Sequence, residues 1–265
     1  MKQLTIKEYR ERLLLVMSRI DALCRENGIV YSIVYGTLLG SVRHRGFIPW
    51  DDDMDIAMTR GEYDKLKALL AEHAELELNC IDIRDHEDTI YPCAKICDAR
   101  TVVTESSFRP VKGYGAFVDV FLFDNLPDDE RERKKFKLYA RYQAKLIQHS
   151  AKRRPGKPNG PAHAFLLYAA FAYSHCFSTR RLIQKLDAYC AKYNDRETKY
   201  FGVPYFISIY RKSDFDKLID MPFEGLVLRG PENYENVLND TYENYRELPP
   251  LEERETHLVT CYWRE

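Results

Sequence analysis

The sequence predicts an α+β core over residues 1–126, with α/β as the open alternative, joined to a helical and mixed α/β part over 127–265. Three observations predict it. Apolar residues recur at helical spacing through the first 27 positions. Short runs rich in β-branched and aromatic residues follow between positions 29 and 124. From Asp128 the chain turns to charged helical stretches interrupted by a basic Pro/Gly segment.

Taken in order, residues 5–27 set Leu13, Val16, Met17, Ile20, Leu23 and Cys24 on one helical face, and Gly28 stands where such a helix stops. "IVYSIVYG" reads as a short buried strand, Gly36-Thr37 as a turn, and "LLGSVRHRG" as a short helix that Pro49 prevents from continuing. "MDIAM" is the next strand. Thr59 with Glu62 forms a capping box opening the helix of Tyr63, Leu66, Leu69 and Leu70. "LELNCIDI", "CAKICD", "TVVTE" and "AFVDVFLFD" follow as strands. Beyond residue 126 come a charged helix, "DDERERKKFKLYARYQAKLIQH", a basic linker, "KRRPGKPNGPA", and a helical section over 162–195 with Ser178 as a cap. Short strands around "PYFISIY" and "FEGLVLRG", a helix opening near Pro231, and "LPPLEERETH" complete the chain.

A chain of 265 residues buries a large core. Its 40 Lys and Arg almost balance 41 Asp and Glu, leaving −1, so no global field marks a nucleic-acid binder and any functional charge is local. The charged N-terminus lacks the apolar core of a signal peptide and no run reaches transmembrane length, so the expected location is cytoplasmic, with the inner face of the membrane as the open alternative. Seven scattered cysteines read as reduced thiols; Cys93 and Cys97 lack the second pair that a zinc site needs.

Asp51, Asp52, Asp53 and Asp55 crowd like charge into five positions. Such a cluster is stable when fully solvated or when a cation neutralises it. An EF-hand loop fits Asp51, Asp53, Asp55 and Glu62, but its obligatory glycine is here Ile56, a β-branched residue that resists the left-handed turn. Strand alternation gives a better account: Asp53 and Asp55 face one side, Met54 and Ile56 the other. Asp119, isolated among apolar residues in "AFVDVFLF", supplies a third carboxylate unless it pairs with a buried arginine. Three carboxylates suit Mg2+, with Mn2+ as the substitute, and one or two such ions suit phosphoryl transfer. Gly36-Thr37 at a helix start offers backbone N–H groups to phosphate.

"YGTLLGSVRHRGFIPWDDDMDIAM", "YPCAKICDARTVVTE", "GAFVDVFLFDNLP" and the late "PFEG" and "YRELPP" together resemble the LicD-type phosphotransferases, relatives of the fukutins. That resemblance runs with gaps over most of the chain. It implies a polymerase-β-like nucleotidyltransferase core with a mixed sheet flanked by helices, a helical middle insert and a C-terminal α+β extension. It also implies transfer of a phospho-alcohol from a CDP-alcohol donor, commonly CDP-choline, to a sugar hydroxyl of a glycan or lipid-linked glycan precursor of teichoic acid, lipopolysaccharide or capsule. Asp53, Asp55 and Asp119 match the family's metal ligands, Asp51 is a fourth through the D-x-D-x-D form, and Gly36 and Thr37 match its phosphate-contacting turn. Asn244 stands where the family pattern has glycine.

Around the motifs, Arg43, Arg45, Lys95 and Arg100 are assigned to phosphate, each against the alternative of an ordinary surface cation. Trp50 stacks on cytosine or covers a quaternary ammonium, or else packs in the core; His257 is an outlying acceptor contact. "PAHAFLLYAAFAYSHCF" behind Lys152, Arg153, Arg154 and Lys157 reads either as an interfacial membrane helix or as a buried helix of the second lobe. Two further functions compete: a nucleotidyltransferase leaving NMP on a small acceptor, and a non-catalytic acidic binding module.

Overall fold

The computed structural model describes residues 1–84, 86–105, 107–206, 209–254 and 260–264. Helix α1 (Ile6–Glu26) opens on a capping box in which Thr5 and Glu8 satisfy one another's backbone N–H groups, and it buries the six residues its periodicity marked together with Tyr9. A two-residue strand β1 (Ser32–Ile33) leads directly into α2 (Tyr35–His44). The turn expected at Gly36-Thr37 is therefore the first turn of that helix, and Tyr35 enters it with φ of 47°. Such a φ is disfavoured for an aromatic residue. Edge-on contacts of its ring with Phe121 and Phe206, both at 4.9 Å, hold Tyr35 in place.

Strand β2 (Asp55–Met58) begins one residue later than "MDIAM" suggests and is followed by α3 (Arg60–Glu72). Thr59 caps α3 through the N–H of Glu62, but the expected box is only half formed: the Glu62 carboxylate accepts the Val30 N–H at 2.8 Å. Strands β3 (Leu78–Ile81), β4 (Ala94–Asp98), β5 (Thr101–Thr104), β6 (Phe117–Leu122) and β7 (Asp124–Leu126) come next. The main sheet runs β1-β2-β6-β4-β3, with β2 and β6 parallel and the other pairs antiparallel. It is a mixed sheet with helices against it, an α+β arrangement.

Helices α4 (Glu130–Ala151), α5 (Pro161–His175) and α6 (Thr179–Cys190) form the middle of the chain. Ser178 occupies the cap position of α6 without a side-chain hydrogen bond. Apart from Ser174, α5 has no buried residue, so it is not the buried helix of a second lobe. Strands β8 (Tyr200–Gly202) and β9 (Ile209–Arg211) join β7 in a small sheet; residues 207 and 208 of "PYFISIY" lie outside the described residues. A hairpin of β10 (Leu218–Phe223) and β11 (Leu226–Pro231) packs on α2 and β1. Pro231 ends this hairpin, and the next helix, α7, spans Tyr234–Thr241. Strand β12 (Thr260–Trp263) pairs with β5 and touches the N-terminus through Gln3 and Tyr262.

One apolar cluster fills both sides of the main sheet, drawing Leu13, Val16 and Ile20 from α1, Ile56 and Val120 from the strands, and Phe223, Leu228 and Leu238 from the C-terminal part. A second, smaller cluster joins α4 to α6 through Ala140, Ile147, Ile183 and Leu186.

Candidate functional site

The parallel register of β2 and β6 sets Asp55 opposite Asp119, so the two carboxylates project from the same face of the sheet. Asp53 lies two residues ahead of β2, outside the strand on which alternation places it. Between the two acids Met54 is fully buried, and its carbonyl accepts the Asp119 N–H at 2.8 Å. Asp53, Asp55 and Asp119 line one cavity of about 870 Å³.

Asp55 is almost fully buried, and its pKa is pushed well above the usual 3.8 by burial first, then by Asp53, Asp119 and Asp51, with Lys95 opposing. Asp119 is held by a lysine, not the arginine considered as its alternative partner: Lys95 Nζ lies 2.6 Å from Asp119 Oδ1, across the antiparallel β4–β6 pair. The Lys95 ammonium also sits over the rings of Phe117 and Tyr91, at 3.7 and 4.6 Å from their centroids. Burial alone would lower the Lys95 pKa, but Asp119, Cys93 and Cys97 together raise it above its usual value. Lys95 is thus committed to Asp119 and the aromatic rings.

A second cavity of about 770 Å³ meets the first at Asp53, Asp55 and Phe206. Gly36, Arg43, Trp50 and Asp51 line it, and residues 241–250 form its far wall. Arg43 holds that wall by donating to the carbonyls of Tyr245 and Glu247 at 3.1 and 3.0 Å. Trp50 is half-buried with the Arg254 guanidinium 4.5 Å over its ring, so one face already carries a cation. Thr37 is buried and its hydroxyl accepts the Asp55 N–H at 2.7 Å, which fixes the start of β2 against α2.

Arg100 stands apart. It pairs with Glu77 at 3.4 Å on the surface and lines neither cavity. Arg45 is exposed at the left-handed end of α2. His257 lies outside the described residues.

Sequence reasoning missed the wall facing the carboxylates. Leu138, Arg141, Tyr142, Lys145 and Gln148 of α4 line the first cavity. Their spacing of three and four is one helical stripe, set beside the buried stripe of Phe136, Ala140 and Gln143, with Ile147 shared by the two. That second stripe, carrying Arg141 and Lys145, is the signal that marks them.

The helix start presses on the acids as well. A Cβ added at Gly36 would stand 2.7 Å from Asp51 Oδ2 and 3.8 Å from Asp53 Oδ1. Gly36→Ala is expected to leave the melting temperature close to wild type, because alanine favours the helix by about 1 kcal/mol. Displacement of the Asp51 carboxylate should lower the reaction rate about ten-fold, roughly 1.4 kcal/mol. Calorimetry and a rate assay on the same preparation check both halves.

All the donors here are carboxylate oxygens, the ligands of a hard divalent cation. Among the described residues no three acidic, thiol or imidazole groups stand together closely enough to hold a metal ion by themselves. The chemistry of the donors fits such an ion in an open site, where substrate oxygens complete its coordination.

A family model described as LicD/FKTN/FKRP, nucleotidyltransferase domain, matches residues 28–147, a span that includes both carboxylate strands and most of α4. Over 98% of its length the chain is 30% identical to the lipopolysaccharide cholinephosphotransferase LicD of Haemophilus influenzae, of which it covers 98%. It is also 35% identical over 82 residues, 31% of this chain and 29% of the other, to an uncharacterized protein of Rickettsia prowazekii. A further uncharacterized protein, from Rickettsia typhi, is 39% identical over 61 residues, 23% of this chain and 20% of the other. These likenesses define an enzyme of the phosphotransferase class. The chain belongs to the LicD family.

Proposed function

We propose that the protein transfers phosphocholine from CDP-choline to a sugar hydroxyl of a lipopolysaccharide-type glycan, and that Asp53, Asp55 and Asp119 hold Mg2+ for this purpose. The observation that carries the reading is end-to-end likeness to a cholinephosphotransferase in a chain that places these three acids on one cavity. A bound Mg2+ would neutralise charge on the diphosphate as its bond to CMP breaks.

The chain's own groups do the rest by position and charge. Lys95 fixes Asp119 and offsets its charge. Thr37 anchors the backbone at Asp55. Arg141 and Lys145 face the carboxylates across the cavity and take phosphate oxygens. Trp50 and Tyr242 offer ring faces in the adjoining cavity, where a quaternary ammonium binds by cation–π attraction. Asp51 or Asp119 accepts the proton of the acceptor hydroxyl.

Incubated with CDP-choline, Mg2+ and a glycan acceptor, the purified protein should release CMP and form a phosphodiester visible by 31P NMR. Chelation of divalent ions should stop the reaction, and Mg2+ or Mn2+ should restore it. Pyrophosphate release from a nucleoside triphosphate, with no use of CDP-choline, would instead make it a nucleotidyltransferase; preferential use of CDP-glycerol or CDP-ribitol would move the headgroup assignment.

A further inference from the structure

A net charge of −1 conceals a segregated block. Residues 133–186 hold 13 of the 40 Lys and Arg and none of the 41 Asp and Glu. The fold displays that block on the middle helices. Arg153, Arg154 and Lys157 of the loop before α5, Arg141 and Lys145 of α4, and Lys185 of α6 are exposed, and none has a carboxylate at ion-pair distance among the described residues.

Inside the basic block lies an apolar helix with little to cover it. Ala164, Leu167, Phe171 and Ser174, spaced by three and four, form the less exposed stripe of α5, which borders α4. The remainder faces outward: Phe165 and Leu166 are 75% and 66% exposed, and Tyr168, Tyr173 and Phe177 are exposed with them. The loop and the helix are tied into one surface. His175 Nε2 lies 3.3 Å from the Lys152 carbonyl oxygen, and the Arg153 N–H donates to the Ser107 carbonyl at 3.1 Å.

We propose that the exposed face of α5 and the basic loop 152–157 dock on an anionic lipid surface. Aromatic and aliphatic side chains flanked by unpaired cations match the two layers of such a surface, apolar below and negative above. Fifteen residues of helix span about 22 Å, short of the roughly 30 Å hydrocarbon core, so α5 lies in the interface. No helix among the described residues is long and apolar enough to cross a membrane. A second copy of the chain would bring like charges together, and a nucleic acid would leave Phe165 and Leu166 in water.

Docking there sets the reaction cavity beside the bilayer, because α4 borders α5 and carries Leu138, Arg141, Tyr142 and Lys145 into the cavity wall. A lipid-anchored acceptor then meets the carboxylates without leaving the surface. This consequence rests on the transfer reaction; the docking does not.

Flotation of the full chain with phosphatidylcholine vesicles, with and without phosphatidylglycerol, tests the proposal. The chain should float with the anionic vesicles and stay in solution with the neutral ones. The triple variant Arg153→Gln, Arg154→Gln, Lys157→Gln should lower partitioning about 100-fold, near five-fold per charge. Phe165→Ser with Leu166→Ser should abolish it at an unchanged melting temperature, since both residues are exposed. Asp55→Asn should float as wild type does, which separates failure of docking from failure of the transfer reading. Equal binding to neutral vesicles, full binding by either surface variant, a dimer that the Phe165/Leu166 variant splits, or tighter retention by duplex DNA than by vesicles would each overturn it.

Discussion

Asp55→Asn is expected to lower the transfer rate about 10³-fold, near 4 kcal/mol of transition-state stabilisation, and to make the protein more stable, not less. The two effects share one cause. In the folded chain Asp55 is buried and then crowded by Asp53, Asp119 and Asp51, which raises its pKa above 3.8. The folded state therefore keeps a proton that the unfolded chain releases. Stability falls as pH rises from about 4 through the raised value, and the loss is complete above it. Asparagine has no proton to lose and removes that slope. Melting temperatures of both chains at acidic and neutral pH in chelator, with rates measured in Mg2+, decide the matter. A variant within ten-fold of the wild-type rate would take Asp55 out of the chemistry. Added Mg2+ should raise the melting temperature of the wild type and leave the variant almost unchanged.

Lys95→Met should have the largest effect on stability, about 3 kcal/mol or roughly 6–10 °C in melting temperature. The methionine fills the space among Tyr91, Tyr114 and Phe117, but it leaves Asp119 beside Asp55 without the ammonium that lies 2.6 Å away in the wild type. The double change Lys95→Met, Asp119→Asn removes the stranded charge and should recover most of the loss while remaining inactive. Denaturant melts of the four chains of this cycle give the coupling directly. A Lys95→Met chain as stable as wild type would mean that water, not Lys95, neutralises Asp119.

Much of this arrangement is written locally. The 3.6-residue rhythm from Leu13 to Cys24 and the stop at Gly28 locate α1, and the density of β-branched and aromatic residues locates β6, because each signal depends only on neighbours in sequence. That Asp119 needs a partner was legible for a related reason: an isolated acid in an apolar strand is costly. What the partner is was not legible. The Lys95–Asp119 pair depends on the register of β4 against β6, set by nonlocal pairing that leaves no periodicity in either segment.

Gly36-Thr37 has the composition of a turn, yet tertiary contacts of Tyr35 with Phe121 and Phe206 force the helix to start there. Arg100 lies close to the motifs in sequence, but the β4–β5 turn carries it to the surface beside Glu77. The α4 wall failed for the opposite reason. Its charged stripe is what any solvated helix shows, and only the fold reveals that the stripe faces a cavity.

The pairing of β12 with β5, continued by the Leu4 N–H on the Cys261 carbonyl and the Trp263 N–H on the Lys2 carbonyl, knots residues 2–4 and 260–263 into one seam. Fraying at either extremity would strip hydrogen bonds from the other, so the two open as a single cooperative unit. The helix capped at Thr5, which backs the reactive sheet, inherits its steadiness from residues more than 250 positions downstream.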